Sequence, residues 1–485
     1  MASDDVRRPL PMSVLPTKRG IRRRELLTVA AAAFVPRLAR AAPAPESVIV
    51  IGAGLAGLAA AHRLREAGKH VTVLEARDAA GGRVRTARAP FDDGLYGELG
   101  AARIADTHSY VLNWVNRFGL SLVPFGPAQG SELLALNGVR AHAEDAQAGT
   151  RLVRDLLPEE RNLTPGALLV PYIAGLPDDL GLPAPDAGAF ARWAAYDQMT
   201  WPAWLRSRGA SAGAVRLLTM GTDSENVSAL YVLRKFLTHR DMRQFYKIAG
   251  GMDALPKAFA AMLMNEIRYN CEVLRIARGA RDVRVTFRAS GKNEIIAGDR
   301  AVITIPFSIL RSVAVDPPFS AAKARAIEQM RYLEATRFLL QTKTRFWTAQ
   351  GLTGAARTAP AELWDASFGE KGAPGLLSLT ASGDPALTRM QGADARLRYA
   401  LTMAAEAFPD ITLQFQKGLT HNWAQEPWSK GAYAVFYPGQ ITGWGNAIAS
   451  AEGRIHFAGE HVSAFPGWME GALMSAERAV QEILR

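Results

Sequence analysis

Cysteine is almost absent. Cys271 is the only one in 485 residues, so neither an internal disulfide nor a cysteine metal cluster can form. The eight histidines include no His-x-x-x-His pair, which removes the common helical zinc signature, and no metal is expected. A Ser/His/Asp nucleophile motif is missing as well. No apolar run approaches the ~20 residues that cross a bilayer, so a membrane span is not expected. The formal net charge is +11, but residues 1–41 alone hold nine Lys/Arg against three Asp/Glu, which leaves +5 for the rest. So mild an excess argues against nucleic acid and suits, at most, anionic substrates or acidic partners. What remains, 48% hydrophobic and 21% charged, is the make-up of a globular chain long enough for two or three packed domains.

The chemistry begins at Val48. Val48 to Ile51 is a short apolar run of the kind that becomes a buried parallel strand. Gly52, Gly54 and Gly57 follow at Gly-x-Gly-x-x-Gly spacing, with Ala56 between them. The first glycine permits a tight turn, the second lets backbone approach a pyrophosphate, and the third lets the helix pack close to the strand. The helix that opens here points free amides and a positive dipole end at phosphates. A second strand, His70 to Leu74, ends on Glu75-Ala76-Arg77. It places an acid about 20 residues on, where it accepts hydrogen bonds from an adenosine ribose. A strand before, a helix after and an acid at this distance make the glycine motif a dinucleotide site.

The next residues narrow the choice of dinucleotide. Gly81-Gly82-Arg83-Val-Arg85-Thr86 resembles the second glycine motif of the flavin amine-oxidase family, whose arginine side meets the FAD pyrophosphate. Glu98-Leu-Gly100-Ala101-Ala102-Arg103 resembles the L-amino acid oxidase branch, where the matching arginine binds the substrate carboxylate. An arginine fork grips a carboxylate with two parallel charge-assisted bonds. The other reading is that Arg103 contacts FAD phosphate or a surface acid. Ala249-Gly-Gly-Met-Asp253 resembles the signature that returns the chain to FAD, and Val273 matches the position whose backbone meets the adenine. Ile267 to Ile276 reads as one strand carrying Cys271 near that end, which implies non-covalent FAD.

Further resemblance fills in the pocket. Arg337 stands where related oxidases commonly carry a lysine that holds water near the flavin, with Lys343 as the alternative should the register slip. An arginine there puts fast reaction with oxygen in doubt. Trp364 falls on an aromatic wall of the substrate pocket, or else is plain core. Trp423, Pro427-Trp428 and Gly431-Ala-Tyr433 resemble the lining of the isoalloxazine. Gly459-Glu460-His461 resembles the segment that meets pyrophosphate and ribityl, with His461 more simply a structural residue. Gly467-Trp468-Met469-Glu470-Gly471-Ala472 opens the last helix, and Trp468 forms one side of the substrate cage.

The fold implied is α/β: a discontinuous Rossmann-like FAD-binding domain with an inserted, largely helical α+β substrate domain. FAD-binding parts are expected at 46–108, 247–306 and 422–485, and substrate parts at 109–246 and 307–421. Tyr196, Trp201 and Trp204 are expected to pack rather than to touch substrate. Residues 1–41 read as a leader. Lys18 to Arg24 are basic, Leu26 to Val35 apolar, and Ala39-Arg-Ala41 a small-residue cleavage site. Arg23-Arg24-Glu-Leu-Leu27 resembles a twin-arginine signal, which implies a periplasmic or secreted protein; a basic tail is the alternative.

The resemblance implies oxidation of an L-amino acid to an imino acid, then a 2-oxo acid and ammonia. O2 would re-oxidise the flavin to give H2O2, or a periplasmic electron acceptor would serve instead, and dimers are usual in the family. Alternatives are a monoamine or polyamine oxidase, a dehydrogenase passing electrons to a quinone or cytochrome, and a non-catalytic flavin scaffold.

Overall fold

The first strand, Ser47–Ile51, sits inside a five-stranded sheet whose order is Ile267–Arg268, His70–Leu74, Ser47–Ile51, Arg300–Ile303, Ile455–Phe457. Every pairing in it is parallel. Val48, Ile49, Val50 and Ile51 are buried on both faces, which is why this strand is an unbroken apolar run. The computed structural model describes residues 45–126, 129–177, 180, 187–220, 225–359 and 361–485, and Pro45–Arg485 form one compact unit. The expected leader lies outside the described residues.

The helix Leu55–Glu66 follows the glycine turn, and Ala59, Ala60 and Ala61 bury its face. The last helix, Met469–Leu484, lies beside it and closes the same core with Leu473, Ala476 and Val480. Three stretches far apart in sequence therefore build one sheet and one glycine turn. A four-stranded sheet, Lys292–Gly298, Val283–Ala289, Glu272–Arg278 and Ala314–Asp316, flanks it.

The expected single strand from Ile267 to Ile276 is two. Asn270 takes φ 55°, and the amide of Cys271 donates to Glu75 O at 2.8 Å. This left-handed residue breaks the ladder. Ile267–Arg268 stays in the parallel sheet, and Glu272–Arg278 turns into the second one.

The intervening segments meet in a seven-stranded sheet ordered Phe415–Asn422, Ala335–Thr342, Gly375–Ser382, Ala361–Asp365, Leu352–Arg357, Ser131–Leu136, Val139–His142. Strand alternation sorts its two faces. Phe338, Leu363 and Leu379 pack with Ala400, Met403 and Ala404 of the helix Ala393–Ala407. Arg337, Glu362, Trp364 and Thr380 face the other way, into a cavity. Thr380 lies opposite both Arg337 and Glu362 in register, so the two charged residues flank it on neighbouring strands.

Helices Trp201–Ser207, Ala212–Thr219 and Ala229–Leu237 form a layer on the far side, capped by Thr200, Ser211 and Ser228 side chains that accept from backbone amides. Trp201 and Trp204 stack at 5.3 Å in the core, as expected, although Trp201 also reaches the cavity. Between residues 109 and 246 the chain also forms short strands, two of which extend the seven-stranded sheet. They are too short to show alternation in sequence. Among the described residues, no helix is long and apolar enough to cross a membrane.

Candidate active site

A single cavity of about 1020 Å³ runs from the glycine turn to the seven-stranded sheet. The catalytic and cofactor residues named from the sequence line it, except Gly57; Gly431 and His461, from the neighbouring flavin segments, stay outside it. Gly57 packs instead: a Cβ there would lie 1.9 Å from Gly52 O and 2.8 Å from Thr304 Oγ1. Gly54 is the opposite case. A Cβ on it meets nothing within 4 Å, so the helix start borders open space where a phosphate can approach. Gly52 holds φ +103°, a conformation that only glycine adopts cheaply.

Glu75 closes the second strand as expected. Its Oε2 accepts from Ala53 N at 2.7 Å and its Oε1 from Arg77 N at 2.9 Å. Burial pushes its pKa up, opposed by those two amides. Each carboxylate oxygen keeps a lone pair for a ribose hydroxyl. Arg83 donates to Glu460 Oε1 at 2.6 Å and to Ala432 O at 3.1 Å. Glu460 also accepts from Gly467 N at 2.8 Å. One acid thereby ties together the second glycine motif, the aromatic segment and the entry to the last helix. Trp423 donates to Leu99 O at 2.7 Å and presses on Gly100, where a Cβ would meet it at 3.2 Å and Arg83 O at 1.8 Å.

The far end of the cavity is charged and aromatic. Arg103 carries its guanidinium 4.7 Å from the Trp364 ring centre and 4.9 Å from that of Phe125. It donates to Glu362 Oε1 at 2.8 Å. Of the two sequence readings, Arg103 does meet an acid, but inside the cavity and not at the surface. Arg337 lies 4.4 Å from the same Trp364 ring and donates to Ser378 Oγ and Gly100 O. Burial first, and Arg103 second, pull its pKa down to about 10. Lys343 bonds Leu413 O at the exposed surface, so Arg337 is the residue that reaches the cavity.

Trp468 is backed by His239 at 4.6 Å, His108 at 5.0 Å and the parallel ring of Phe245 at 6.0 Å. Its Nε1 is buried without a partner. The open space at Gly54 and the free lone pairs of Glu75 make the cavity fit a flavin dinucleotide. His461 is fully buried against Phe307, and burial holds its pKa well down. It does not line the cavity, which leaves it structural.

Glu362 and Lys235 were missed in the sequence. Glu362 stands two residues before Trp364 in one strand, and period-2 alternation alone puts both on one face. Tyr231, Lys235 and His239 recur every four residues along one helix face and just past its end, and all three line the cavity.

A parallel sheet with a glycine turn, Glu75 at the end of its second strand and a large cavity reaching to the seven-stranded sheet suit a dinucleotide-dependent enzyme. The model for flavin containing amine oxidoreductases matches residues 55–484, and the chain belongs to that family. It is 31% identical to YobN of Bacillus subtilis (strain 168) over 460 residues, covering 91% of this chain and 95% of the relative. It is 27% identical to the L-amino acid oxidase Lm29 of Lachesis muta, over 92% of this chain and 88% of that one. Among solved structures, cyclohexylamine oxidase from Brevibacterium oxydans IH-35A superposes with a TM-score of 0.76 at 24% identity, over 91% of this chain and all 100% of the other. A triple mutant of putrescine oxidase gives 0.78 at 21% identity, over 91% and 99%. At these identities the two structures share the fold.

Proposed function

We propose that the chain oxidises an L-amino acid, with non-covalently held FAD, to an imino acid that water converts to the 2-oxo acid and ammonia. The observation that carries this reading is the guanidinium of Arg103, set between aromatic rings in the same cavity as the glycine turn. An α-carboxylate laid on it gains charge-assisted hydrogen bonds. Trp364 and Trp468 wall the substrate and exclude water, which strengthens that attraction. FAD, when bound, supplies the acceptor for the hydride. Gly54, the helix start behind it and Arg83 would hold its pyrophosphate, Glu75 the ribose, Val273 the adenine, and Trp423 the ring end. The Cys271 amide bonds Glu75 O, at the proposed adenine end, which supports a non-covalent flavin. O2 is the proposed oxidant, giving H2O2, and the leader is proposed to direct export.

Anaerobic bleaching tests the reading: an L-amino acid should bleach the holoprotein, and Arg103→Met should slow that roughly thirtyfold or more while flavin content stays. One observation favours a second reading, in which the substrate is a simple amine. Glu362 already occupies part of the Arg103 fork, and a carboxylate in the cavity suits the cationic end of an amine. In that case Arg103→Met leaves turnover nearly unchanged.

A further inference from the structure

Oxidation of an amine needs its lone pair, yet an amine in water near neutrality is an ammonium ion. Some group must take that proton, or the substrate must arrive already neutral. At the Arg103 end of the cavity the candidate acceptors are His239, with His108 behind it, Glu362 and Lys235.

The histidines are committed to each other. Ala105 N donates to His108 Nδ1 at 3.2 Å, so the proton of neutral His108 sits on Nε2. That nitrogen lies 3.1 Å from His239 Nε2. His239 Nδ1 lies 2.8 Å from the carbonyl oxygen of Lys235, which can only accept, so His239 carries its proton on Nδ1 and accepts at Nε2. One self-consistent chain uses all four ring nitrogens, with both rings neutral. Burial also drives both pKa values down, that of His108 to about 3. The pair buttresses Trp468 and has no free site for a proton. Glu362 is held by Arg103, and its pKa lies below the usual carboxylate value despite its burial.

Lys235 is different. It projects from the helix Ala229–Leu237 into the cavity, with Nζ 5.5 Å from the ring centre of Tyr433, and it also borders a smaller neighbouring cavity beside Phe465. Among the described residues no carboxylate forms an ion pair with it. We propose that Lys235 takes the proton of the substrate ammonium and so delivers the neutral amine in place. One N–H bond of the ammonium breaks, one N–H bond forms on Nζ, and no electrons change hands in this step. The hydride leaves Cα afterwards, in the oxidation that is the family's own chemistry.

The charged groups around Lys235 bear on its titration. Burial lowers its pKa most, Glu362 from the seven-stranded sheet opposes this, and Arg103 adds to it. Tyr231 and Arg234 share its helix, Tyr433 faces its ammonium, and Asp197 acts on Arg234. The neutral form, the competent one, is therefore reached at lower pH than for a lysine in water.

The inference needs only an amine substrate. It is tested on the holoenzyme with L-phenylalanine, and with phenethylamine should that, rather than the amino acid, bleach the wild type. The second outcome would overturn the amino-acid reading and leave this one standing. Wild type should show an acid limb in kcat/KM set by Lys235. In Lys235→Met the limb moves up to the ammonium pKa of the substrate itself, and kcat/KM at pH 7 falls at least about tenfold. Lys235→Arg keeps the charge but cannot act as a base, so it should behave like the Met variant. Binding of 3-phenylpropanoate, which has no amine, should change less than about twofold in both, as read by flavin absorbance. Rescue by arginine, an unmoved acid limb in the Met variant, or a parallel loss of 3-phenylpropanoate binding would each overturn the proposal.

Discussion

Arg103 and Glu362 are joined by a 2.8 Å hydrogen-bonded ion pair inside the cavity, with the Trp364 ring 4.7 Å from the same guanidinium. A substrate carboxylate must share or displace Glu362. Removing the acid alone should therefore help an anion bind. Glu362→Gln is expected to tighten 3-phenylpropanoate binding roughly two- to tenfold, by titration of the flavin spectrum. Arg103→Met should lower kcat/KM for an L-amino acid by about 2–4 kcal/mol, roughly thirty- to a thousandfold.

The two glycines of the first turn should fail differently. In Gly57→Ala the new Cβ falls 1.9 Å from a backbone oxygen, which no rotamer relieves, and loss of folding is expected. Gly54 already holds φ −70° and has open space around it. Gly54→Ala should fold with its apoprotein stability within about 0.5 kcal/mol of wild type, yet bind flavin at least tenfold more weakly. Thermal unfolding and flavin absorbance after gel filtration separate the two effects.

Glu98 links stability to pH. Burial raises its carboxyl to about 7, against hydrogen bonds from Met252 N and Thr86 Oγ1. The folded state then binds more protons than the unfolded state between the ordinary carboxyl range and about pH 7. Stability from this group falls as pH rises through that window. The Tm of Glu98→Gln relative to wild type should therefore rise between pH 5 and pH 8. A difference that stays flat would mean that Glu98 is ionised throughout.

Export is proposed from the basic, apolar and cleavage-like stretches of residues 1–41, with Arg23 and Arg24 as the twin-arginine pair. Replacing both with lysine should shift the protein from the exported to the cytoplasmic fraction, measured by immunoblot. An unchanged distribution would leave the segment a basic tail.

Where the chemistry repeats in short, rigid spacings, sequence and structure agree. Gly52, Gly54 and Gly57 are dictated by backbone approach, and Glu75 by its place at a strand end, so each could be named before any coordinates. Trp364 was ambiguous between core and pocket because a tryptophan in a strand looks the same in both. Only the partner strands show that its face opens on Arg103. Glu362 and Lys235 were illegible for the opposite reason. A lone Glu in a strand or Lys in an amphipathic helix ordinarily faces solvent. Here the solvent-like face is an internal cavity, made by packing the helix layer against the seven-stranded sheet. The break at Asn270 was hidden because nothing in Tyr269-Asn-Cys271 demands a left-handed residue until Cys271 bonds Glu75.

The central claim is that Arg103 selects a substrate bearing a carboxylate next to its amine. Anaerobic bleaching of the holoprotein by each of the twenty L-amino acids, set against the amine left by decarboxylating each, tests it most directly. The account predicts at least one amino acid that bleaches the flavin ten times faster or more than its matching amine. Amines that bleach as fast as their amino acids, or faster, in every pair would contradict it.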